Sequence, residues 1–157
     1  MLALAFALAG CAGPGGRAGG SAPRAHVSID SASRNDVALT AMSLLDTPYR
    51  YGGGSPATGF DCSGLVAYVM AAAARLRLPH NSAQIASLGR RVDADRLDVG
   101  DLVFFNTLNR PYSHVGIYIG EGRFVNAPSS GGRVRIDNLD NAYFARRFEG
   151  ARTLFDR

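Results

Sequence analysis

The chain has 157 residues, 46% of them hydrophobic and 19% charged, which suits one globular domain with a real core and is too short for two. Its net charge of +4 comes from scattered basic residues with no long run, a pattern that argues against a nucleic-acid surface and favours anionic surroundings such as a cell wall or lipid. Zinc-type Cys/His spacing and a phosphate-cradling Gly-Lys-Ser loop are both missing, so neither a metal nor a cofactor is expected.

An unbroken apolar run, MLALAFALAG, fills residues 1–10 and stops at Cys11. It is too short to span a bilayer and reads as a secretory signal peptide. The tetrapeptide Leu8-Ala9-Gly10-Cys11 resembles the bacterial lipobox, which implies cleavage before Cys11 and a lipid on that cysteine. The usual basic n-region is missing, so either the true start lies upstream or the signal is atypical. Ala12 is not the aspartate that retains many Gram-negative lipoproteins in the inner membrane. The expected address is therefore the cell envelope, lipid-anchored in the outer membrane and facing the periplasm. With Cys11 lipidated, Cys62 is the single thiol left and no intramolecular disulfide can form. Residues 12–25 are rich in Gly, Ala and Pro, and the whole of 11–33 reads as a flexible tether ahead of a folded domain over 34–157.

Val37, Ala38, Ala41, Leu44 and Leu45 recur at helical spacing and predict a first helix ending near Thr47-Pro48. A Gly/Pro/Ser loop from Tyr49 to Gly59 then delivers the chain to Asp61, a good N-cap for a second helix through about Leu76. Its stripe of Leu65, Val66, Val69, Met70 and Ala73 must pack on a flat partner. Strands are predicted at Leu102–Phe105, Val115–Ile119, Arg123–Ala127 and Val134–Ile136, with a last one near Ala151–Phe155. Helices first and consecutive strands afterwards imply an α+β domain with helices packed on an antiparallel sheet.

Cys62 opens the second helix in Gly59-Phe60-Asp61-Cys62-Ser63-Gly64, and His114 follows 52 residues later. Unpaired N–H groups and the positive end of a helix dipole stabilise thiolate over thiol, and an adjacent histidine is expected to lower the Cys62 pKa further. This is the chemistry of a cysteine peptidase. The hairpin around Gly120-Glu121-Gly122 decides whether Asn126 can join the pair. A two-residue turn at Glu121-Gly122 would set Ile117 opposite Asn126 and put His114 and Asn126 on opposite faces. A three-residue loop, with Gly122 in a left-handed bulge position, sets Gly116 opposite Asn126 and His114 diagonally across the same face. That register also gathers Val115, Ile117, Ile119, Val125 and Ala127 on the other face, which suits a core. Gly116 is expected to leave the space between His114 and Asn126 open.

From Val37 to Phe155 the chain resembles the NlpC-type family of papain-like bacterial cell-wall cysteine peptidases. The resemblance is carried by Thr47-Pro48-Tyr49-Arg50-Tyr51-Gly52-Gly53, Asp61-Cys62-Ser63-Gly64, Leu78-Pro79, Gly100-Asp101-Leu102-Val103-Phe104-Phe105 and His114-Val115-Gly116-Ile117-Tyr118. It implies a papain-like fold with Cys62 as nucleophile, His114 as general base and Asn126 as the residue that orients it. Tyr49 is implied to donate toward developing charge, and Asp61 and Ser63 to recognise the free amine of a trimmed stem peptide. Many members carry histidine where this chain has Asn126, and arginine followed by Ser or Thr where it has His80-Asn81. The implied activity is endopeptidase cleavage of a peptidoglycan stem-peptide or cross-link amide, first of all the D-glutamyl–diamino acid bond, by a monomer that needs no cofactor. Two alternatives use the same residues differently: an amidase or acyltransferase on another envelope substrate, marked by a purely apolar cleft, or a non-catalytic wall-binding lipoprotein.

Overall fold

The computed structural model describes residues 26–156. The signal peptide, Cys11 and most of the tether lie outside the described residues. Helix α1 (Arg34–Ser43) follows a 3-10 turn at Ser31–Ser33, whose Asp30 side chain accepts from Ala32 N at 2.8 Å. A two-stranded ribbon, β1 (Gly54–Ser55) and β2 (Gly59–Phe60), leads into helix α2 (Cys62–Ala74). Helix α3 (Ser82–Leu88) and strand β3 (Arg90–Val92) come next. The rest is sheet: β4 (Leu102–Phe105), β5 (His114–Gly120), β6 (Arg123–Asn126), β7 (Arg135–Asn138), the short helix α4 (Ala142–Ala145) and β8 (Phe148–Thr153).

Six of these strands form one antiparallel sheet in the order β3-β8-β4-β5-β6-β7, so the expected α+β layering is present. Helices α1 and α2 cover one face, where Val66, Val69 and Met70 of α2 pack with Val37, Leu102, Phe104, Val115 and Ile117. On the opposite face Phe105, Val103, Phe124 and Ala151 make a second cluster closed by Phe144 of α4. All four residues of β4 are buried because both sheet faces are covered, which explains a continuous apolar run in place of alternation.

Departures from the sequence reading are local. The α2 helix stops two residues before Leu76, because Arg75 takes a left-handed conformation (φ 54°) and caps it through its N–H on Met70 O. The last strand starts earlier than expected, at Phe148, and the strand read at Val134–Ile136 runs from Arg135 to Asn138. Helices α3 and α4 and strand β3 are too short to carry a periodic signal. The folded body also begins ahead of residue 34: Val27 N donates to Leu88 O, Ile29 bridges Phe155, and Val27 and Ile29 pack on the core.

The β5–β6 hairpin has the register that joins Asn126 to His114, reached by another device. Glu121 (φ 52°) and Gly122 (φ 71°) form a two-residue turn with both residues left-handed, pairing Gly120 with Arg123. A bulge between Tyr118 and Gly120 then shifts the ladder by one, so that Tyr118 faces Phe124 and Ile117 faces Val125. Continued one step, this ladder sets Gly116 opposite Asn126. The turn is therefore not the three-residue loop read from the sequence.

Candidate active site

The Tyr49–Phe60 segment exists to seat the start of α2. Gly53 N donates to Arg50 O, Asp61 N to Gly53 O, and Gly52 N to Asp61 Oδ2 at 2.9 Å, which folds the loop onto the helix end. Asp61 caps α2 by accepting from Gly64 N at 2.8 Å. A Cβ on Gly64 would overlap Gly53 O and come within 2.8 Å of His80 Nε2, so only glycine lets the loop, the helix and His80 meet here.

Cys62 therefore sits at the first turn of α2, on the wall of a cleft of about 430 Å³ that also receives Tyr49, Asp61, Ser63, His80 and His114. Its Sγ lies 4.0 Å from the carbonyl of Ser113, the residue before His114. The expectation of a lowered thiol pKa is overturned. Burial pushes the Cys62 pKa up to about 11; N–H groups, Val115 foremost among them, pull against that rise, and the neighbouring Asp61 charge adds to it. Helix-start N–H groups help a thiolate only as far as they replace the water it loses.

His114 is 6% exposed and leads β5 at the sheet end. Its Nε2 meets Asn126 Oδ1 at 2.9 Å, and Asn126 is fully buried. The imidazole lies nearly parallel to the Phe144 ring, centroids 6.1 Å apart, with Phe105 at the same distance. This apolar casing lowers the His114 pKa by desolvation, while the Asn126 hydrogen bond opposes the shift. Burial thus favours the neutral form of each group, and Asn126 engages Nε2, so Nδ1 is the ring nitrogen not used in that hydrogen bond. Gly116 does not leave an open gap: a Cβ there would overlap the Phe124 ring, which fills the space. Behind Asn126, its Nδ2 donates to Asp137 Oδ2 at 2.9 Å, and Arg135 Nε donates to the same oxygen at 2.8 Å.

At the other end of the cleft, Asp61 Oδ1 accepts from Ser63 Oγ at 3.2 Å and meets His80 Nε2 at 2.7 Å. Tyr49 stays protonated well into alkaline pH, since burial and the Asp61 charge raise its pKa. All six residues singled out within the described region, Cys62, His114, Asn126, Tyr49, Asp61 and Ser63, thus converge on one cleft or directly behind it. His80 had no assigned part in the sequence, yet it occupies the cleft wall against Asp61; the only sign of it was the His80-Asn81 departure from the usual arginine. Asp137 was missed too, because its link to Asn126 is a diagonal across β6 and β7. No group of three or more metal-ligating side chains occurs among the described residues, and no described helix is long and apolar enough to cross a membrane.

Residues 46–153 match the model of the NlpC/P60 family. The chain is 40% identical over 114 residues to the murein DD-endopeptidase MepH of Escherichia coli, covering 71% of this chain and 42% of that protein. It is 44% identical over 109 residues to the probable endopeptidase NlpC of the same organism, covering 69% of this chain and 70% of that one. A crystal structure of an NlpC/P60 family protein from Bacillus cereus superposes with a TM-score of 0.71 at 30% identity, over 77% of this chain and 40% of that one. The chain thus spans less than half the length of two of these three relatives.

Proposed function

Because the chain belongs to the NlpC/P60 family, we propose that it is a cysteine endopeptidase of peptidoglycan, hydrolysing a stem-peptide or cross-link amide. The observation that carries this reading is the buried His114–Asn126 hydrogen bond at 2.9 Å, made by a histidine that shares its cleft with the helix-start Cys62. His114 takes the thiol proton as Sγ attacks the amide carbonyl carbon, the C–N bond breaks, and the proton passes to the leaving amine. Water then attacks the thioester, releasing the acid and returning the proton to sulfur. The Cys62 N–H and the Tyr49 hydroxyl stabilise the tetrahedral oxyanion, and loss of one such donor typically costs about 10²–10³ in rate.

Asp61 and Ser63 form the end of the cleft that takes the free amine of a trimmed stem peptide, which favours the D-glutamyl–diamino acid bond as the one cut. His80 shares Asp61 with that amine and takes the place of the arginine usual in relatives. The polar wall of Asp61, Ser63, His80 and Arg110 argues against an acyltransferase cleft shaped for lipid. We place the enzyme in the envelope, a monomer anchored through lipid on Cys11 in the outer membrane and facing the periplasm.

The test is digestion of purified peptidoglycan by wild type and Cys62→Ala, with mass analysis of the products. Wild type should release fragments whose masses name the bond, and Cys62→Ala should release none. Undigested peptidoglycan with wild type, or equal digestion by both, overturns the reading.

A further inference from the structure

The orientation of the Asn126 amide is not set by its shape, since its oxygen and nitrogen are nearly equal in size and either could face His114. It is set by what stands on its far side. Asn126 Nδ2 meets two groups that can only accept, the Asp137 carboxylate at 2.9 Å and the Arg135 carbonyl at 3.4 Å. An amide oxygen turned toward them would face two acceptors in a buried site, with no proton to share. The NH₂ must point that way, and the carbonyl oxygen is driven onto His114 Nε2. An acceptor at that position requires Nε2 to carry the proton, which puts the lone pair on Nδ1.

We propose that Asp137 is a positioning residue of this site, which fixes the tautomer of His114 through Asn126 from a neighbouring strand; the inference rests on the reading of Cys62 and His114 as nucleophile and base. The register makes the placement a property of the fold: Phe124 pairs with Asp137 and Asn126 with Arg135, so Asp137 reaches Asn126 diagonally on one face. Arg135 Nε donates to the same carboxylate oxygen at 2.8 Å, and its charge offsets part of that of Asp137 at the imidazole. Asp137 acts on His114 in two ways: through the amide, which sets the tautomer, and through its charge, which raises the His114 pKa against the opposing charge of Arg135.

The test reads the tautomer directly. The chain has three histidines, and ¹⁵N NMR of histidine-labelled protein, with the His114 signals assigned by their loss in His114→Gln, distinguishes Nε2–H from Nδ1–H. Wild type should show one tautomer, protonated at Nε2. Asp137→Asn offers either a donor or an acceptor to Asn126, so both tautomers should appear. In peptidoglycan digestion kcat should fall about 10–100-fold with KM unchanged, on the scale of losing a partner behind a reacting ligand and short of the ~10⁴ seen when a base's direct partner is changed. Asp137→Glu, which keeps an acceptor-only group, should restore most of the single tautomer. In an Asn126→Ala background Asp137→Asn should cost much less than it does alone, because the amide that sets the tautomer is gone and only the charge interaction with His114 is left.

Asp137→Ser, small and able to donate or accept, is the second variant should Asp137→Asn not melt cooperatively. A single Nε2–H tautomer in the folded Asp137→Asn or Asp137→Ser protein overturns the proposal, as does a full additional loss in the Asn126→Ala background. Failure of wild type itself to digest peptidoglycan would instead overturn the proposed substrate, while the tautomer measurement still decides the role of Asp137.

Discussion

Two opposed shifts set the chemistry at the level of single residues. Burial raises the Cys62 pKa to about 11 and lowers that of His114, so it favours the neutral form of each, and in the proposed mechanism the proton moves as Cys62 attacks. Alkylation of Cys62 by iodoacetamide should accordingly be slow at neutral pH and climb as the pH rises from 9.0 toward about 11. A labelling rate already at its plateau near pH 6 would mean that an imidazolium–thiolate pair outweighs the burial of both partners. The motif around the helix start pointed to Cys62, and the hairpin register with the family resemblance pointed to His114 and Asn126. The sign of the thiol's pKa shift was out of reach, since it depends on how much water the folded cleft removes.

Among the elements, α2 ends on a residue held in a left-handed conformation. Its start is tied down by the Asp61 cap and by Gly64 against Gly53, and its stripe is buried on the sheet, so its end must turn sharply toward Leu78. Arg75 makes that turn at φ 54°, a left-handed conformation that costs a non-glycine residue roughly 1–2 kcal/mol. Arg75→Gly should therefore raise stability by up to about 1 kcal/mol after glycine's own entropy cost, seen as a higher Tm with unchanged turnover. A lower Tm would show that the Arg75 side chain contributes more than its backbone costs. The β5–β6 hairpin teaches a related point about register. The apolar set Val115, Ile117 and Val125 demanded one face, and that demand gave the right pairing even though the turn that delivers it was misread. Two backbone devices, the two-residue turn with its bulge and a longer loop, satisfy the same side-chain pattern.

At the scale of the whole molecule, His114 and Cys62 also bracket the pH range of the fold. A histidine whose pKa is depressed by folding contributes stability that is present above its unfolded value of 6.5 and lost as the pH falls through the lower folded value. A thiol raised by folding contributes stability that is present below 9.0 and lost as the pH rises through about 11. Thermal melts should thus be most favourable between those limits, and Cys62→Ala should remove part of the alkaline decline while leaving the acid side unchanged. An alkaline limb identical in the variant would mean that the buried thiol does not contribute. The ends of the described chain belong to this body as well, since Ile29 lies against Phe155 and the two close the core beside Arg34, whose guanidinium stacks on the Phe155 ring at 4.3 Å.

Sequence by itself determined the layer order, the helix that starts at Cys62, most strand positions and the face that His114 and Asn126 share. Local physics decides these: an N-cap carboxylate, the period of apolar residues, and the demand of an alternating strand for one apolar face. Tertiary structure alone decided what depends on groups distant in sequence. Asp137 lies 11 residues from Asn126 and meets it only because β6 and β7 pair in this register. His80 lies 19 residues from Asp61 and reaches it only because Gly64 leaves no side chain in the way. The direction of the pKa shifts of Cys62 and His114 is likewise a tertiary property, because desolvation is produced by every segment that closes over the cleft and by no residue in isolation.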